Sequence, residues 1–149
     1  MKCFYKHCKL GGNVEKDVAI KYNTKYYHKE CYKKKINKEK SALLLKQKGF
    51  VVKTINMALM TIIDKDDFDS DLVYFTIKYV IENKKDLNNP FGVKYYLQNF
   101  EINDKYKKYK RFKQIEENKN KKVEIEDVEE VKFNYVKKKP KYLNIIKKE

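Results

Sequence analysis

The chain has little of several things that common functions need. Its 149 residues include one arginine, two histidines, three cysteines, four glycines and two prolines. Four glycines leave no room for a phosphate-cradling glycine loop. With only His7 and His28, no serine or cysteine nucleophile has a base of its own once His28 serves as a ligand. The expectation is therefore a protein without enzymatic activity. Arg111 stands alone among 36 basic residues, which disfavours bidentate reading of base edges and favours lysine contacts to a phosphate backbone. Long apolar runs are missing too. The nearest, Ile55 to Ile63, is interrupted by Asn56 and Thr61 and falls short of the roughly 20 residues that span a bilayer. Met1 to Cys8 contains no apolar signal core. These points predict a soluble, cytoplasmic protein with no membrane partner. An odd number of cysteines cannot all pair within one chain, so metal ligation or free thiols are favoured over a disulfide framework.

What the chain does have is positive charge, +15 in total. Residues 1–40 carry 12 lysines against 4 acids, and residues 105–122 carry 9 basic residues against 2 acids. A third basic block, Lys132 to Glu149, follows the acidic stretch Val123 to Val131. Blocks of this kind neutralise phosphates and release counterions, which predicts a nucleic-acid partner, DNA or RNA. Joint enrichment in Lys, Asn, Ile and Tyr is also what an AT-rich genome produces without selection for function.

The pattern along the chain predicts a mainly α protein with a small β-hairpin near its start. Val18 and Ile20 alternate with Ala19 and Lys21 as a short strand, Asn23-Thr24 is a turn, and Lys25 to Tyr27 is a second strand. Helix formers begin at Lys29 and continue past Leu43-Leu44-Leu45 to Gly49, a C-cap residue. A second helix is expected over Val52 to Ile63 and a third over Asp71 to Asn83, capped by Asp69 or Ser70, with Val73, Ile77 and Val80 on its inner stripe. The acids from Asp64 to Asp71 read as a solvated loop. A fourth helix from Pro90-Phe91 places Val93, Tyr96, Leu97 and Phe100 inward, and it runs on or restarts after Asn103. The domain scheme is a finger at 1–40, a helical domain at 41–118, and an extended charged tail at 119–149. Within that tail, 137–148 (KKKPKYLNIIKK) has the make-up of a docking segment for a protein partner.

The most specific signal is C-x4-C-x19-H-x2-C, formed by Cys3, Cys8, His28 and Cys31. Zinc takes thiolate and imidazole ligands tetrahedrally, and two close pairs supplied by a knuckle and a helix start are a usual source. His28 and Cys31, three apart at a helix start, face the same side, and Tyr26-Tyr27 close over them. Four protein ligands leave no open position, so the zinc is expected to be structural. His7 is an alternative to Cys8, as C-x3-H. The stretch KYYHKECYKK (25–34) resembles the histidine-cysteine half of treble-clef zinc fingers, especially the first finger of a LIM domain, and is similar to the ends of PARP-type fingers. The resemblance covers about residues 1–40. It implies that Cys3 and Cys8 are the first ligand pair and His28 and Cys31 the second. LIM knuckles use C-x2-C where this chain has four intervening residues, and the second LIM finger is missing, so the resemblance implies a metal scaffold more than a LIM docking function. Size, composition and a lone finger on a helical body are similar to small proteins of phages and mobile elements.

Other constellations are weaker. Leu45-x3-Gly49-x5-Ile55 fits helix-turn-helix spacing, but the helix it would offer to DNA is mostly apolar and reads as core. Asp67-x-Asp69-x-Asp71 lacks the glycine and glutamate of a calcium loop, having Leu72 and Lys78 in those places. Two sets of residues are candidate nucleic-acid contacts. One is the finger's Lys21, Lys25, Lys29, Lys33, Lys34 and Lys35. The other is KYKKYKRFK, with Lys105, Tyr106, Lys107, Lys108, Tyr109, Lys110, Arg111 and Lys113. In the second set exposed tyrosines could stack on bases while lysines meet phosphates; the alternative is an amphipathic helix with Tyr106, Tyr109 and Phe112 turned inward. The overall expectation is a zinc-finger nucleic-acid-binding accessory of replication, recombination or regulation. The second hypothesis is a protein-binding module that inhibits a host nucleoprotein complex.

Overall fold

The computed structural model describes residues 1–126, with side chains through residue 121. The docking segment expected at 137–148 lies outside the described residues. A two-stranded antiparallel hairpin, β1 (Ile20–Tyr22) and β2 (Lys25–Tyr27), leads into α1 (Lys29–Gln47). Next come α2 (Val52–Leu59), a π-helical segment (Met60–Lys65) and α3 (Ser70–Glu82). A 3-10 turn (Pro90–Gly92), the short α4 (Val93–Leu97) and the long α5 (Phe100–Glu126) complete the order. The chain is thus mainly α with an N-terminal hairpin. Two units are distinguished, Met1–Arg111 and Phe112–Glu149; of the second, residues 112–126 are described, as helix. Among the described residues no helix is long and apolar enough to cross a membrane.

The hairpin pairs Ile20 with Tyr27, Lys21 with Tyr26 and Tyr22 with Lys25. Val18, expected in the first strand, is 66% exposed in the preceding turn. Both turn residues, Asn23 and Thr24, have positive φ (46° and 63°), the twist that two-residue hairpins favour. Asparagine tolerates that region, but a β-branched residue does so at a cost. Thr24→Gly is therefore expected to stabilise the protein by about 1 kcal/mol, read as a higher urea midpoint with an unchanged slope.

At its other end α1 closes as a full Schellman motif. Gly49 takes φ +99°, its N–H donates to the Lys46 carbonyl at 2.9 Å, and the Phe50 N–H donates to the Leu45 carbonyl at 3.2 Å. Phe50 thereby packs on the helical core. That core comprises Leu45, Ile55, Leu59, Ile62, Ile63, Val73, Ile77, Val80, Leu87, Val93 and Leu97, so the helix from Val52 is a core helix. The expected inner stripe of α3 is fully buried, and the Asp69 carboxylate caps α3 by accepting from the Asp71 N–H at 3.1 Å.

Several expectations are corrected. The helix begun by α2 does not stop at Ile63; it widens into π geometry, with the Asp66 N–H donating to the Thr61 carbonyl at 2.9 Å. The widening turns three consecutive residues, Ile62, Ile63 and Asp64, inward, so Asp64 is buried instead of lying in a solvated loop. The break before the last helix falls at Gln98-Asn99, not after Asn103, because the Asn99 carbonyl oxygen of the side chain accepts from the Ile102 N–H at 3.3 Å. With the helix phase reset there, Phe100 is 85% exposed and not part of the core. In addition, α5 continues through Glu126, so residues 119–126 of the segment expected as tail are helical.

Candidate metal centre

Three short stretches of backbone bring four soft donors together. The N-terminal segment is held on both sides: Lys2 bridges antiparallel to Asn13, and Cys3 bridges parallel to Tyr26. The Cys3 N–H donates to the Gly12 carbonyl at 2.7 Å and the Phe4 N–H to the Tyr26 carbonyl at 3.0 Å. A turn follows, closed by the Cys8 N–H on the Tyr5 carbonyl at 3.1 Å. His28 sits at the N-cap of α1 in extended geometry (φ −62°, ψ 150°), and Cys31 lies in the first turn. Their three-residue offset places both side chains over the knuckle.

The Sγ atoms of Cys3, Cys8 and Cys31 and a ring nitrogen of His28 all lie within 4.8 Å of one another. His28 Nδ1 is 3.4 Å from Cys8 Sγ and 3.8 Å from Cys31 Sγ. A tetrahedral ion with bonds of about 2.3 Å to sulfur and about 2.0 Å to nitrogen separates its donors by roughly 3.5 to 3.8 Å. The cluster therefore fits a metal ion. A second observation points the same way: His28 Nε2 lies 2.8 Å from the Asn13 carbonyl oxygen. A carbonyl only accepts, so the proton resides on Nε2 and the Nδ1 lone pair faces the three sulfurs. Metal-ligating histidines are oriented by such a backbone acceptor.

The electrostatics of the thiols differ by position. Burial raises the Cys8 thiol, but the N–H groups of Leu10 and Gly12 and the neighbouring Cys31 and Cys3 outweigh it and bring the group down to about 7. Those N–H groups are available because Gly11 and Gly12 take φ of +82° and +74°, a conformation unfavourable for other residues. Burial, followed by the negative neighbours Cys8 and Cys3, pushes Cys31 up to about 12. Three sulfurs at this separation cannot all be thiolates without a cation between them.

Tyr27 is buried against Cys3 and Cys31, and Tyr26 is half-buried beside them, as expected of a cover. Cys8 belongs to the cluster; His7 faces the Tyr5 ring edge-on at 6.3 Å, away from it. The core of this N-terminal segment is small: Cys3, Tyr5, Val14, Tyr27 and Cys31, two of them members of the donor cluster.

Asp64, which sequence periodicity missed, secures the finger to the helices. It accepts from the Tyr5 hydroxyl at 2.6 Å and pairs with Lys38 of α1. Burial and this carboxylate raise the Tyr5 hydroxyl's pKa, so it stays a donor. No spacing signal could have shown the cluster, because Tyr5, Lys38 and Asp64 are distant in sequence and meet only once the π turn has rotated Asp64 inward.

The candidate nucleic-acid residues divide by what holds them. Lys33 pairs with Asp71, Lys34 with Asp67 at 3.5 Å, and Lys35 with Glu39. In α5, Lys105 pairs with Glu101 and Lys108 with Asp104, each at 2.8 Å, and Lys110 lies 3.8 Å from Asp69. Among the described residues, Lys21, Lys25, Lys29, Lys107, Arg111 and Lys113 have no acidic partner and are exposed. Tyr106 is 7% exposed, packs on Phe75 and donates to Asp69 at 3.1 Å, whereas Tyr109 is half exposed and Phe112 is 72% exposed. One aromatic of the three thus turns fully inward.

Comparisons of the chain with protein families, with curated proteins and with solved structures find no match.

Proposed function

We propose that the chain is a non-enzymatic nucleic-acid-binding protein of phage or mobile-element type, with a structural zinc ion at Cys3, Cys8, His28 and Cys31. Zinc is favoured over other ions by the donor set, three thiolates and an imidazole. The observation that carries the nucleic-acid reading is the uncompensated lysine on the finger. Lys2, Lys6, Lys21, Lys25 and Lys29 have no acidic partner among the described residues, although the same finger's helix has lysines that do. An exposed amine without a carboxylate is available to a phosphate, and its contact releases a counterion. The paired lysines of α1 and α5 are a reserve, because exposed ion pairs are worth little and a phosphate can displace the carboxylate.

Fluorescence anisotropy of a labelled oligonucleotide tests this. Affinity should fall linearly on a log–log plot against salt, with a slope near −0.7 to −0.9 per phosphate contacted. Changing Lys21, Lys25 and Lys29 together to glutamate should flatten that slope. Binding that ignores salt, or a charge-reversed variant that binds as well as the parent, would overturn the reading. A stoichiometric complex with a protein that persists in moderate salt would favour the interaction-module alternative.

A further inference from the structure

A cleft of about 390 Å³ opens between the knuckle and the helices, beside the metal centre. Its volume lies in the range of small-ligand sites. The floor is aromatic and aliphatic, with the buried Tyr5, Tyr27 and Leu59; the mouth carries Phe4 and Lys6. Phe4 is the unusual member. It is 52% exposed, yet its backbone is pinned to β2 by the bond to the Tyr26 carbonyl, and it lies between two metal-ligating cysteines in sequence. The ring stands half exposed on a backbone that is held in place. Lys25 Nζ stands 5.6 Å from the Phe4 ring centroid, and Lys38 Nζ 5.1 Å from that of Tyr5.

We infer that this cleft receives one unstacked base of a single-stranded nucleic acid, with Phe4 as the stacking surface and Lys6 and Lys25 on the flanking phosphates. The inference rests on the nucleic-acid reading above and specifies the form of its ligand. Charge complementarity selects the occupant. Lys35 is paired with Glu39 and Lys38 with Asp64, so the uncompensated charge at the rim is that of Lys6, and Lys25 beside Phe4 likewise has no carboxylate partner among the described residues. An apolar peptide side chain would use the floor and leave these ammonium groups unanswered. A flat ring carrying a phosphodiester on either side satisfies both. Duplex DNA has its bases stacked away and offers nothing to the floor, so the cleft discriminates strand state.

The sequence contains no tryptophan, so Phe4→Trp installs the chain's sole indole at the mouth of the cleft. Oligothymidylate should quench its emission, while a duplex of mixed sequence should bind through phosphates without quenching. In parallel, Phe4→Ala should weaken oligothymidylate binding about 5- to 150-fold, the effect of losing one stacked base, and leave duplex binding unchanged. Zinc content equal to that of the parent shows that both variants fold. If oligothymidylate binds but leaves the indole emission unchanged, or if folded Phe4→Ala binds it as well as the parent, the cleft assignment falls and the nucleic-acid reading stands. If neither single strand nor duplex binds, both fall. Quenching by oligoglutamate and not by oligothymidylate would also overturn the inference, in favour of an acidic protein segment.

Discussion

Replacing Cys31 with serine is expected to abolish zinc binding and to unfold the knuckle and hairpin, while the helical body keeps its structure. The argument starts from the two cores. The helical core has its own fully buried Leu45, Ile55, Ile62, Ile63, Val73, Ile77 and Val80, none of which touches on a ligand position. The finger's core offers Cys3, Tyr5, Val14, Tyr27 and Cys31, far too little apolar area to offset the ordering of nearly thirty residues. Structural zinc in small fingers supplies about 10 to 16 kcal/mol at neutral pH, and that energy is folding energy. Cys31, like Cys3, is a poor position for serine. It is buried among the other sulfurs, and a hydroxyl there is a poor zinc donor beside a thiolate. Heteronuclear NMR separates the outcomes: dispersion should collapse for residues 1–28 and persist for α2 and α3. A chelator added to the parent protein should reproduce the same pattern. Dispersion retained throughout the finger in either case would contradict a metal-dependent fold.

Asp64→Ala should destabilise the protein by about 3 to 5 kcal/mol, the range for removing one partner of a buried pair. The carboxylate is 3% exposed, and Lys38, 20% exposed beside the cleft, loses the counter-charge that Asp64 supplies. The Tyr5 hydroxyl loses its acceptor in the same change. Asp64→Asn preserves volume and an acceptor for Tyr5 but not the charge opposite Lys38, so its loss should be smaller. The double change Asp64→Leu with Lys38→Met removes both charges and should recover much of the stability. Urea denaturation with the zinc-loaded protein measures all three. Equal stability of Asp64→Ala and the parent would mean that the pair contributes nothing to holding finger and helices together.

Much of the architecture was legible because the signals are local. The two central turn residues, Asn23 and Thr24, the helix start at Lys29, the Schellman glycine at Gly49 and the stripe of Val73, Ile77 and Val80 each follow from neighbours within a few positions. The donor set was legible for a different reason: three cysteines and a histidine are rare enough in this chain that their spacing carries information. What escaped depends on phase or on distant partners. A 3.6-residue period cannot anticipate the π turn that buries Asp64, nor the Asn99 cap that resets α5 and exposes Phe100. Lysine pairing escaped as well. Lys33, Lys34 and Lys110 look as available in sequence as Lys21 and Lys25, and only the fold brings Asp71, Asp67 and Asp69 to them.

Native mass spectrometry of the protein purified without added chelator tests the central claim most directly. The account predicts one zinc ion bound per chain, retained at neutral pH and lost on denaturation. A folded protein whose mass equals that of the bare polypeptide, with the finger still ordered, would contradict it.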